Sequence, residues 1–149
     1  MCKKKYIEDL QVGDTIWHAQ VSIGEGEDEF FVCECEVTST KEYKSITNSA
    51  DWIISWKAKD GRKLKWTDAY FRLNMPVYER VKFPKHAAMC VHGDHCFATN
   101  SFSGEYIGLT EKEVYDYIME KIEGFKETLE NTIQECQKNL GFIDKIERV

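Results

Sequence analysis

The chain has 149 residues, 42% of them hydrophobic and 13% aromatic, with a formal net charge of −6. Length and composition fit one domain with a sizeable core and exclude an extended disordered chain. The acidic balance argues against non-specific nucleic-acid binding, and no apolar run reaches the ~20 residues needed to span a bilayer.

The charge is uneven: residues 110–149 carry ten acidic against six basic side chains, so most of the excess lies in the last quarter of the chain. Met1-Cys2-Lys3-Lys4-Lys5 runs into polar sequence, unlike a signal peptide, and Cys2 stands where N-myristoylation requires glycine. The expectation is a cytoplasmic protein whose six cysteines are thiols.

Leu10-Gln11-Val12-Gly13-Asp14 reads as a turn into a strand over 15–23. There Trp17, Ala19, Val21 and Ile23 alternate with His18, Gln20 and Ser22, the period of a half-buried strand. After a turn at residues 24–28, Phe31, Cys33, Cys35 and Val37 share one face of a second strand, and Glu34 and Glu36 the other. Residues 41–51 are polar and read as a loop.

A hairpin with a three-residue loop at Lys59-Asp60-Gly61 would set Trp56 opposite Leu64 and Ile54 opposite Trp66. Its other face would hold Ser55, Lys57, Lys63 and Lys65. Further strands are expected near 77–83, 87–91 and 96–101. Short strands separated by turns predict a small antiparallel β-barrel or strongly curved sheet of about six to eight strands.

The C-terminal segment has the firmest local signals. Thr110 and Glu113 make a capping box, with Leu109 and Val114 at the staple positions. Ile118, Ile122, Phe125, Leu129, Ile133, Cys136 and Leu140 follow a helical period, and Gly141 is the expected terminator. The fold class is thus α+β, a β-rich body over 1–109 and a long amphipathic helix with its tail over 110–149, forming one domain. A helix of about 45 Å overhangs a body some 30–35 Å across. Its stripe is expected to pair with a second copy, giving a homodimer through Ile118, Ile122, Phe125, Leu129, Ile133 and Leu140.

Two clusters bear on chemistry. In Cys90-Val91-His92-Gly93-Asp94-His95-Cys96, a two-residue turn at Gly93-Asp94 would bring Cys90, His92 and His95 to one face, a borderline-soft set suited to zinc. Cys96 would face away, leaving His86, Asp94, water or another chain to supply a fourth ligand. The Cys-x₂₋₄-Cys and His-x₃₋₅-His spacings of ordinary zinc sites are absent, and small core cysteines beside a polar turn give the same letters. Cys–His thiol catalysis lacks a pattern for an orienting group or an oxyanion site. Cys33 and Cys35 read as core residues, as does Cys136 on the helix stripe.

The second cluster is cationic. Lys57, Lys59, Arg62, Lys63 and Lys65 gather on one hairpin face, either a solvated surface or a docking face for an anion. With no catalytic signature in view, the expected function is non-enzymatic: a binding or inhibitor-type protein that blocks a macromolecule or sequesters an anionic, nucleotide-like ligand. Size and composition match those frequent among phage-encoded accessory proteins, including antagonists of host defence. No cofactor is expected. The alternative is a zinc module or hydrolase built on the Cys90–Cys96 hairpin.

Overall fold

The computed structural model describes residues 7–24, 26, 28–44, 50–72, 88–98 and 100–147. The turn announced by Leu10–Asp14 forms: the Gln11 amide donates to Asp14 Oδ2 at 2.8 Å and the Asp14 amide to the Gln11 carbonyl at 3.0 Å. A short 3-10 turn at Ile7–Asp9 buries Ile7 beside Leu10. Strand β1 (Thr15–Ile23) then pairs antiparallel with β2 (Glu29–Lys44).

Strand β2 is sixteen residues long and serves two neighbours, β1 along its first half and β3 (Ala50–Ala58) along its second. Between Val37 and Ser39 the register slips, a bulge of the kind that bends a strand and raises its twist. Residues 41–44 and 50–51, expected in a loop, belong to these strands, and 45–49 lie outside the described residues. Hydropathy under-reads this stretch, whereas Thr38, Thr40 and Tyr43 favour extended backbone.

The β3–β4 hairpin differs from its expected register. Strand β4 is Asp68–Arg72, with Ala69 opposite Ile54 and Asp68 opposite Ser55, so residues 59–67 form a nine-residue connection. The Trp56 amide donates to the Thr67 carbonyl at 2.9 Å, which fixes that register. Gly61 does adopt the left-handed region, φ 81°, in a turn closed by its amide on the Ala58 carbonyl. Sorting hydrophobic faces could not reveal that other strands claim this connection: the Lys59 amide bonds the Glu34 carbonyl, and the Lys65 amide bonds Gln20 Oε1.

Strand β5 (Ala88–Ala98) runs through Gly93-Asp94 without the expected turn and absorbs it in register shifts against β6 (Ser101–Gly108). The separate strands expected at 87–91 and 96–101 are largely this one element, and most of β6 went unpredicted. The strand expected at 77–83, with His86 and Cys2, lies outside the described residues.

The sheet order is β4-β3-β2-β1-β6-β5, antiparallel throughout. Ala69 of β4 and Met89 and Val91 of β5 belong to one apolar cluster with Ile16, Cys35, Val37, Ile54, Trp56 and Ile107. Strands at opposite ends of the order therefore share a core, and the sheet curls into a nearly closed barrel.

Helix α1 (Glu111–Glu147) has 37 residues, about 55 Å at 1.5 Å per residue. Thr110 Oγ1 accepts the Glu113 amide at 3.1 Å, the expected N-cap. The reciprocal arm of the capping box is not seen among the described residues, where Glu113 Oε2 is buried without a partner. Gly108 lets strand turn into helix: a Cβ there would meet the Val114 Cβ at 2.8 Å.

The helix crosses the outer face of the sheet, where Val114, Ile118 and Phe125 bury against Ala19, Val21, Phe102 and Tyr106. Gly141 does not end it; the helix continues to Glu147, so this glycine is tolerated inside the last turns. No helix among the described residues is long and apolar enough to cross a membrane.

Candidate functional site

Strand β1 is buried on both faces, and this produces the most unusual chemistry in the molecule. Trp17, Ala19, Val21 and Ile23 pack toward the helix. The alternate positions, His18, Gln20 and Ser22, therefore point into the curl of the sheet instead of to solvent, and all three are buried. Across from Gln20 stands Glu105 of β6, and across from Ser22 stands Ser103. A polar row thus continues the apolar core toward one end of the barrel.

His18 is 0% exposed. The Trp56 indole Nε1–H donates to His18 Nδ1 at 3.2 Å, so the neutral ring carries its own proton on Nε2. Nε2 is buried and has no hydrogen-bond partner among the described residues. Burial pulls the imidazole pKa from 6.5 down to about 4, which keeps the ring neutral near pH 7.

Glu105 is 3% exposed, and burial raises its carboxyl pKa; Lys65 opposes that shift and Glu29 adds to it. Among the described residues its carboxylate has no hydrogen-bond partner. Gln20 is committed at both ends, donating from Nε2 to Glu29 Oε2 at 3.0 Å and accepting the Lys65 amide at 3.3 Å. Next along the connection, Trp66 stacks on His92, ring centroids 4.0 Å apart, and His92 is the cross-strand partner of Glu105. The 59–67 connection thus lies across the mouth of the curled sheet.

Among the described residues the expected metal set is not brought together. A register shift separates Cys90 from His92: Cys90 packs with the helix-side cluster, whereas His92 stacks on Trp66. The His95 backbone pairs with Ser103, and its side chain lies outside the described residues, as does that of Cys96. Among the described residues no group of three His, Cys, Asp or Glu side chains is placed to hold a metal ion.

The five cations are divided. Lys59 Nζ binds Glu34 Oε1 at 2.7 Å and Thr15 Oγ1 at 2.8 Å. Arg62 is held by Asp60 at 2.8 Å and lies over the Phe31 ring at 4.6 Å. Lys65 sits near Glu105. Lys57 and Lys63 remain together, lining an open groove of about 280 Å³ with Ala58, Arg62 and Leu64, and neither is in an ion pair among the described residues.

Along the helix, Ile118 is 0% and Phe125 5% exposed, with Ile122 and Leu129 packed beside them. These four of the six expected interface residues are used within the chain. Ile133 and Leu140 are exposed, as are Phe142, Ile143 and Ile146. Cys136, expected in the core, is also exposed, because the sheet ends before the helix reaches it. Cys33 and Cys35 are buried as expected, their Sγ atoms 3.8 Å apart.

Sequence reasoning missed the inner polar row because alternation alone marks His18, Gln20 and Ser22 as solvent-facing. One signal was present: Glu105 is a lone carboxylate in the otherwise apolar and small-residue run from Phe102 to Leu109. No protein-family model, no curated protein and no solved structure matches this chain.

Proposed function

We propose that this chain is a non-enzymatic binding protein that acts as a homodimer, paired through the free end of α1, and meets an anionic partner at the Lys57–Lys63 groove. The exposed apolar seam beyond the sheet carries this reading. Ile133, Cys136, Leu140 and Ile143 are spaced 3, 4 and 3 residues apart, the heptad step of helices that pair along a seam. Thr132, Gln137 and Asn139 flank the middle of the seam without charge, and Asp144 places one carboxylate beside its end. A second copy is the simplest cover for such a strip.

The groove reading rests on charge that is left over. Glu34 and Asp60 neutralise Lys59 and Arg62, while Lys57 and Lys63 stay exposed over an apolar floor. An inhibitor-type role, blocking a macromolecule or holding an anionic ligand, fits two positive charges at a concave surface, repeated in a dimer.

Sedimentation equilibrium tests the assembly. The wild type is expected at twice the chain mass, and Ile133→Glu with Leu140→Glu at the chain mass with unchanged helical circular dichroism. A wild type at the chain mass throughout a micromolar concentration series refutes pairing. For the groove, Lys57→Glu with Lys63→Glu is expected to cut retention on a polyanionic matrix, heparin–agarose, at low salt while leaving the midpoint of urea unfolding in place. Unchanged retention counts against the groove.

A further inference from the structure

We infer that two copies of the chain pair antiparallel along the free end of α1, so that each helix ends against the other copy's barrel. The arrangement rests on the pairing proposed above and adds its direction and register.

One helical face serves two purposes. At about 100° per residue, Ile133, Cys136, Leu140 and Ile143 point within about 60° of the direction of Ile118. Ile118, Phe125 and their neighbours up to Leu129 pack on the sheet, whereas Ile133, Leu140 and Ile143 are 55%, 60% and 46% exposed. The seam therefore looks toward the side of the helix on which the barrel stands, just past the barrel's end. That placement decides the direction. In a parallel pair, the first half of each helix would run through the space filled by the other copy's barrel. Antiparallel copies avoid the collision, because each barrel stands beyond the far end of the other helix.

The seam also matches itself only when reversed. Its spacing of 3, 4 and 3 residues reads the same in both directions. Run antiparallel, Ile133 meets Ile143 of the second copy, and Cys136 meets Leu140 of the second copy. Small then faces large at the centre, which fills space, whereas parallel copies would set Cys136 on Cys136 and Leu140 on Leu140. In the same register Glu147, the last residue of α1, comes level with Leu129 of the second copy. Leu129 is the last α1 residue in the cluster packed on the sheet, so the free part of the helix just fills the interval between two barrels. Glu130 and Asp144 lie on one flank of the seam, and this register sets Glu130 beside Asp144 of the second copy at either end. A parallel pair would set Asp144 beside Asn139 of the second copy instead.

Disulfide mapping of the full chain tests the direction. Leu140→Cys is expected to remain helical and, on mild oxidation, to link Cys136 of one copy to the new thiol at position 140 of the other. The linked peptides are identified by mass after tryptic digestion of the covalent dimer. Oxidised wild type is expected to show no Cys136–Cys136 link, because those Cα atoms stand about 10 Å apart, past the ~7 Å that a disulfide spans. Asp144→Lys leaves the seam intact and places opposite charges beside Glu130. It is expected to tighten the dimer about threefold or more at low salt, read by sedimentation equilibrium. A Cys136–Cys136 link as the main product in wild type, a dimeric Leu140→Cys protein without the crossed link, or an Asp144→Lys dimer no tighter than wild type each overturns antiparallel pairing while leaving the dimer in place. A wild type sedimenting at the chain mass overturns the pairing and its direction together, so the two failures are told apart.

Discussion

Replacing Trp56 by alanine is expected to lower the unfolding free energy by about 4 kcal/mol or more. Domains of this size retain only about 5–15 kcal/mol in total, so the variant should lose between about a quarter and most of its stability. The indole is 2% exposed and sits in the cluster that joins all six strands. It also supplies the proton for His18 Nδ1, and its loss leaves that nitrogen buried without a donor, a cost of about 1–3 kcal/mol. Trp56→Phe separates the two contributions, because most of the buried surface survives while the hydrogen bond does not. Urea unfolding should therefore order the proteins wild type, Trp56→Phe, Trp56→Ala. Equal losses in the two variants would contradict the packing described.

The second large effect is on pH. The His18 pKa falls from 6.5 to about 4 on folding because burial penalises the charged ring. Between those values the unfolded chain binds a proton that the folded chain does not, so folding weakens as pH falls. The contribution is fully present above pH 6.5 and is lost progressively toward pH 4. At 1.36 kcal/mol per pKa unit the full loss is about 3 kcal/mol, of which about 2 kcal/mol is gone by pH 5.

Glu105 acts in the opposite sense. Its pKa is raised in the folded state, so it favours folding below its unfolded value and withdraws that support as pH rises through the folded one. Glu105→Gln removes this compensation and should steepen the acid loss. Urea midpoints at pH 7.5 and pH 5 measure both, and a midpoint independent of pH over this range would mean that His18 is reached by water.

Much of this was legible from residue types alone. Thr110 fixed the start of the helix through a short-range bond to its own third residue. Phe31, Cys33, Cys35 and Val37 declared their inner face by strict alternation. What failed were statements that needed a third partner. The β3–β4 register depends on Glu34 and Gln20, far away in sequence, capturing the connection. The place where the helix leaves the sheet depends on sheet width, so a uniform stripe could not tell Phe125, buried, from Ile133, exposed. The inner polar site was hidden because a half-buried strand and a doubly covered one share the same alternation. Cys90 and His92 were separated by an irregularity that no spacing rule contains.

The pairing of β1 with β6 joins Trp17 to Gly108 and Ile23 to Phe102, partners about eighty residues or more apart in the chain. During synthesis at about 5–20 residues per second, the first strand waits roughly 4–18 s for its second neighbour to leave the ribosome. Over that interval its unpaired amides and carbonyls are an open template for a neighbouring nascent chain. Yield in the cell should therefore respond to translation speed and chaperone supply more sharply than the stability of the finished molecule would suggest.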